Sequence, residues 1–226
     1  MRLYPLALDV EGRECLVVGG GPVALRKARS LLQCGASVTL VCPGGLAGSG
    51  VEGAVVVSEC YSRAHLKGAF LAIAAATREV NEAVRRDARG MGVLVNVADD
   101  LGGSTFILPA SARKGPFTLS LSTGGRSPLL AARLVRELAD SIPASMERLC
   151  IALRWLRPQL KEIDPGLRRQ VLDMLADPGL AREMADSVET ALARRLDGLP
   201  DLVRTIVHTG FLGGVAFEDV EDRDQG

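Results

Sequence analysis

The chain has 226 residues, long enough for one or two domains with a sizeable core, and its composition is 47% hydrophobic with only 4% aromatic residues. Its 27 basic and 27 acidic residues cancel to a formal net charge of zero, which argues against a general nucleic-acid or anionic membrane surface. No apolar run approaches the roughly 20 residues of a membrane span, and the first twelve residues carry charges instead of a signal-peptide core.

Residues 3–8 are apolar and read as extended, leading through Glu11 and Gly12 into a first strand at 16–18. Gly19, Gly20, Gly21, Pro22, Val23 and Ala24 then fit the pattern G-x-G-x-x-A. A helix follows, with Val23, Ala24, Ala28, Leu31 and Leu32 expected on its inner face, and Gly35 stops it. Residues 38–42 form a second apolar strand. Strand, glycine turn, helix and strand in this order point to dinucleotide binding. The glycines permit a tight turn and a close backbone approach to pyrophosphate, and free helix N–H groups favour an anion. Pro22 suits the first helical position. The alternative is a glycine turn that merely packs a sheet.

An acidic residue usually grips the adenosine ribose about 20 residues past the glycines. Here that place holds Val41, Cys42 and Pro43, and no Lys or Arg stands between Gln33 and Tyr61 to receive a 2′-phosphate. The absence of such a cation favours NAD over NADP, with backbone groups near Pro43 and Gly44 holding the ribose.

Beyond a glycine-rich loop at 43–53, the pattern predicts a strand at 54–58, a helical turn at 63–67 and a continuous apolar strand at 70–75. A helix at 78–89 and a strand at 93–97 complete an alternating series, which implies a parallel, doubly wound α/β sheet. Such sheets bind ligands at the carboxyl ends of their strands. Thr77 and the run Asn96-Val97-Ala98-Asp99-Asp100 lie at two such ends. A carboxylate there could serve as a general base, or could be a solvated turn residue.

Two further strands are expected at 105–109 and 117–122. The turn Ser122-Thr123-Gly124-Gly125-Arg126 follows, with Ser127 as cap and Pro128 opening a helix at 129–138. That turn could bind an acidic substrate through backbone N–H groups, or could need its glycines for backbone angles alone. From Pro143 the strand signals vanish and four or five proline-punctuated helices remain, ending in an acidic, frayed tail at 218–226. The five cysteines (Cys15, Cys34, Cys42, Cys60, Cys150) are scattered without a C-x-x-C, and His65 and His208 are far apart. This pattern fits a reducing cytoplasm and no His/Cys metal site.

Five blocks in order, VVGGGPVALRKARSLLQCGASVTLV (17–41), LAIAAAT (71–77), NVADD (96–100), FILPA (106–110) and LSLSTGGRSPLLAARLVREL (119–138), resemble the precorrin-2 dehydrogenase family, which includes the dehydrogenase part of sirohaem synthase. The resemblance covers residues 1 to about 142. It implies a Rossmann domain at 1–112, a small mixed dimerisation segment at 113–142 and an all-α C-terminal domain at 143–226. It implies oxidation of precorrin-2 to sirohydrochlorin with NAD as hydride acceptor, in a cytoplasmic homodimer; some members also insert ferrous iron to give sirohaem. The chain looks too short for the methyltransferase module that some sirohaem synthases append. By the same resemblance, Gly19, Gly20, Gly21, Pro22 and Val23 would bind pyrophosphate. Pro43 and Gly44 would lie by adenosine, and Thr77, Asn96 and Val97 by nicotinamide. Asp99 would be the acid/base residue, and Ser122, Thr123, Gly124, Gly125 and Arg126 would line the substrate cleft. A different class also fits a glycine turn: a non-catalytic NAD(H) sensor acting through a partner.

Overall fold

The computed structural model describes residues 3–45, 51–98 and 100–212. The chain divides into two compact units between Pro109 and Ala110. The first holds β1 (Glu14–Val18), α1 (Pro22–Leu32), β2 (Ser37–Val41), β3 (Val55–Val57), a 3-10 turn (Arg63–Leu66), β4 (Leu71–Ala74), α2 (Arg78–Met91) and β5 (Leu94–Val97). All five strands are parallel, in the order β3-β2-β1-β4-β5. From β1 the chain steps outward through β2 to β3, then crosses back over to β4. The sheet therefore reverses direction between β1 and β4, the switch point where open α/β sheets bind ligands. The fold is Rossmann-like α/β.

Burial explains the strands. Every residue of β4 is buried, as is every residue of β1 after Glu14, because helices cover both faces. One face packs Val17, Leu40 and Ile73 against Ala24, Leu25 and Ala28 of α1. The other packs Leu16, Ala72 and Val95 against Val84 and Ala88 of α2. The expected inner face of α1 needs one correction. Leu25 is buried and Val23 is 38% exposed, because Val23 lies two residues from Leu25, on the side of the first turn that points away from the sheet.

The strand expected at 105–109 does not form. Residues 104–106 instead bind the open edge of β5 largely through side chains. Thr105 Oγ1 accepts from the Val95 N–H at 2.7 Å and the Thr105 N–H donates to the Val95 carbonyl at 2.8 Å. Ser104 Oγ accepts from the Val97 N–H at 2.9 Å, and the Asn96 amide donates to the Phe106 carbonyl at 3.1 Å. Hydroxyls stand in for ladder groups, so no regular strand results.

The second unit begins with a hairpin, β6 (Ala110–Lys114) and β7 (Phe117–Leu121), antiparallel and packed on α3 (Pro128–Asp140). A boundary at residue 112 would cut β6, so the division falls before it. Five helices follow: α4 (Ala144–Gln159), α5 (Pro165–Leu175), α6 (Pro178–Asp186), α7 (Val188–Arg195) and α8 (Asp201–Leu212). Prolines mark some of their starts, but Pro158, expected to separate two helices, lies inside α4, and α7 starts behind Ser187 without a proline. Pro165 and Pro178 occupy first-turn positions behind Asp164 and Asp177, whose carboxylates accept first-turn N–H groups. Leu149, Leu156, Val171, Leu175, Leu180 and Leu192 centre this unit's core. The tail at 218–226 lies outside the described residues.

Candidate functional site

The glycine turn joins β1 to α1 at the switch point. Gly19 has φ +130°, and a Cβ there would run into the carbonyl oxygen of Ala75 at the end of β4. A Cβ on Gly20 would come within 2.6 Å of the Gly45 carbonyl oxygen and 3.1 Å of Cys42 Sγ. Cys42 Sγ itself donates to that carbonyl at 3.3 Å, which holds the turn after β2 folded over Gly20. A Cβ on Gly21 would meet nothing within 4 Å. The first two glycines are thus required by the protein's own packing, and the third leaves an open concavity.

That concavity faces the start of α1, whose N-cap is Gly21 and which has no side-chain cap and no acid in its first turn. Its leading N–H groups have no intrahelical partner. They and the helix dipole form an anion-binding end. Burial first, then the Arg26 charge, holds the Lys27 ammonium below its usual range.

Around the turn lies a cleft of about 590 Å³. Gly19, Gly20 and Gly21 form its floor, and Pro43 and Gly44 line it from the end of β2. Thr77 lines it from the end of β4, where its Oγ1 also caps α2 by accepting from the Val80 N–H at 3.5 Å. Cys60, Tyr61 and Val80 line it as well, and sequence reasoning did not single them out. Their signal was weak: an isolated aromatic ahead of a short turn, and one apolar residue in a helix's first turn. Among the described residues, no charged side chain lines the cleft.

Not every expected residue is brought here. Pro22 and Val23 follow the turn but do not line the cleft. Asn96 is 9% exposed with its amide spent on Phe106, and Val97 packs into the α2-side core. Asp99 lies outside the described residues. Its neighbour Asp100 is exposed and accepts from the Gly103 N–H at 2.9 Å, a turn role. The remaining candidates belong to the second unit, between β7 and α3. Ser122 Oγ accepts from the Gly124 N–H at 3.2 Å, and Thr123 Oγ1 accepts from the Ser127 N–H at 2.9 Å. Gly124 and Gly125 have φ of +63° and +82°, which favours glycine at both. Arg126 is exposed, and Ser127 caps α3.

These features fit a dinucleotide: a glycine floor with one open position, an uncapped helix start and a cleft across the ends of β1, β2 and β4. The comparisons agree. A family model described as "Putative NAD(P)-binding" matches residues 6–110. "Siroheme synthase" of Chromobacterium violaceum is 36% identical over 204 residues, 87% of this chain and 43% of that protein. "Siroheme synthase 2" of Aeromonas salmonicida is 41% identical over 149 residues, 63% of this chain and 30% of that protein. A solved structure, "SirC, precorrin-2 dehydrogenase", matches with a TM-score of 0.63 and 25% identity, over 83% of this chain and 100% of that one. In sequence and fold the chain is similar to these siroheme synthases and to SirC over most of its length. It spans less than half the length of the two siroheme synthases. The cleft lies within the span that the NAD(P)-binding family model matches. Among the described residues, no group of His, Cys, Asp and Glu could hold a metal ion and no helix is long and apolar enough to cross a membrane.

Proposed function

We propose that this chain oxidises precorrin-2 to sirohydrochlorin with NAD. The observation that carries the reading is the glycine-floored cleft at the β1/β4 switch point, in a chain similar to siroheme synthases and to SirC. Bound NAD supplies the hydride acceptor. Gly21 and the first turn of α1 hold the pyrophosphate through backbone N–H groups, while Pro43 and Gly44 border the adenosine. Thr77, Asn96 and Val97 belong to the nicotinamide end. Thr77 borders it directly, and Asn96 and Val97 act from behind by fixing the end of β5 through the bonds to Phe106 and Ser104.

Precorrin-2 gives up a hydride and a proton. Asp99, in the Asn-Val-x-Asp motif after β5, takes the proton. Ser122, Thr123, Gly124, Gly125 and Arg126 receive substrate carboxylates, because an exposed guanidinium and a helix start favour anions. The substrate is polyanionic while the chain is neutral overall, so the attraction is local.

The working form is a cytoplasmic homodimer built through 113–142. Its two-stranded hairpin has open edges. On α3, Leu130, Leu134 and Leu138 stand 51%, 38% and 51% exposed at four-residue spacing, in a row beside the buried Ala131, Val135 and Ala139. Residues 143–226 act as a helical domain. The test is anaerobic turnover: NADH and sirohydrochlorin formed in equal amounts support the reading, and NAD binding without oxidation defeats it.

A further inference from the structure

The cofactor cleft contains a device that the glycine turn does not explain. No carboxylate stands at the end of β2 where one usually grips the adenosine ribose, and among the described residues none that lines the cleft carries a charge. The adenosine half must therefore be held by packing and backbone groups. Among the described residues, Tyr61 is the only aromatic side chain that lines the cleft.

Its position follows from the topology. In the dinucleotide reading, pyrophosphate lies at Gly21 and the start of α1. The two nucleosides then diverge, one toward the ends of β2 and β3, the other toward β4 and β5. Tyr61 lies on the connection that leaves β3 and lines the cleft together with Pro43 and Gly44 from the end of β2. Its ring is also fixed. The hydroxyl donates to Asp87 Oδ2 of α2 at 3.2 Å. Asp87 has a side chain only 15% exposed, and Arg86 Nε lies 3.4 Å from its other oxygen. The His65 ring lies 6.2 Å away, centroid to centroid, tilted by 40°, and is itself tied to Ser62 by the N–H of that residue at 3.0 Å. Burial first, then the Asp87 charge and hydrogen bond, push the Tyr61 phenol well above its ordinary range, so it stays a donor. The Tyr61–Asp87 bond thereby ties the connection after β3 to α2, and α2 supplies the apolar Val80 to the same cleft.

We infer that Tyr61 is the adenine-recognition residue of this cleft, its ring packing against the base, and that Asp87 is the positioning residue that holds the ring. The inference rests on the dinucleotide reading of the cleft and deepens it. A base packs on an aromatic face whatever its hydrogen-bond edges, and such contacts are strong enough to replace a ribose carboxylate as the main grip.

The experiment uses ADP-ribose, which carries the adenosine half and no nicotinamide, and the full chain with ¹³C-labelled tyrosine. The chain has two tyrosines, Tyr4 and Tyr61, and Tyr4 is 87% exposed. Tyr61→Phe assigns the signals. Adding ADP-ribose should shift the Tyr61 ring resonances and leave those of Tyr4 in place. Tyr61→Ala should raise the Kd for ADP-ribose about tenfold, a loss at the lower end of what a base–aromatic contact is worth. Tyr61→Phe should stay within about twofold of wild type, as a ring that keeps its face would. Asp87→Asn should fall between them, and nicotinamide mononucleotide, which lacks adenine, should separate none of the variants. ADP-ribose that binds wild type without moving the Tyr61 signals overturns the inference and leaves the dehydrogenase reading intact. Equal affinity of Tyr61→Ala and wild type does the same. Should Tyr61→Ala not fold, the wild-type spectrum and Tyr61→Phe still decide. No binding of ADP-ribose at all overturns both readings. A full Tyr61 response without precorrin-2 oxidation upholds the inference and removes only the activity.

Discussion

Single atoms decide what this cleft tolerates. A methyl group on Gly20 would press on the Gly45 carbonyl and Cys42 Sγ, so Gly20→Ala must displace the turn that closes over the cofactor floor. We expect the Kd for NAD to rise at least tenfold, about 1.4 kcal/mol, by calorimetric titration; unchanged affinity would mean that the turn after β2 takes no part. Cys15 shows the other kind of residue. Burial, aided by Glu14, pushes its thiol up from 9.0 to about 11, so it is inert at neutral pH. The folded chain holds that proton more tightly than the unfolded chain. The stabilisation is therefore complete below about pH 9 and lost as pH rises through about 11. Cys15→Ala should flatten the alkaline fall of the urea midpoint, measured across that window. The glycine pattern was legible at this scale because its residue types are rare and their spacing strict. Tyr61 was not, because nothing in a sequence says that a residue after β3 will reach α2.

Elements were read well wherever burial alone dictates them. The continuous apolar runs of β1 and β4 admit only a strand covered on both faces, and Ser127 with Pro128 announces the start of α3. The reading failed at 105–109, where apolar content suggested a strand. Thr105 and Ser104 hydroxyls instead satisfy the edge of β5, and side-chain capping leaves no periodicity to detect. Thr105→Val tests this. It preserves shape, but removes the acceptor of the Val95 N–H on a residue with no exposed surface. The cost should be about 1–3 kcal/mol, read as a lower urea midpoint with an unchanged slope. A change below about 0.5 kcal/mol would mean that water replaces the hydroxyl.

At the scale of the whole molecule, the parallel first unit was legible from alternating strands and helices, whereas the prolines misplaced helix boundaries, since Pro158 lies inside α4. The sequence pattern could not separate the buried face of α3 from its exposed one, since both are apolar: Ala131, Val135 and Ala139 on one, Leu130, Leu134 and Leu138 on the other. Only three-dimensional packing tells them apart, and an exposed leucine row marks a surface that wants a partner. Leu134→Glu should therefore convert a dimer to a monomer in sedimentation, while the fold loses no more than about 0.5 kcal/mol. A Leu134→Glu protein that stays dimeric would place the interface elsewhere.

The measurement that tests the central claim most directly is anaerobic absorbance spectroscopy of the purified chain with precorrin-2 and NAD. The account predicts a rising sirohydrochlorin spectrum with NADH in equal amount, lost in Asp99→Asn and absent without NAD. Intact NAD binding with no spectral change in the wild type would contradict it.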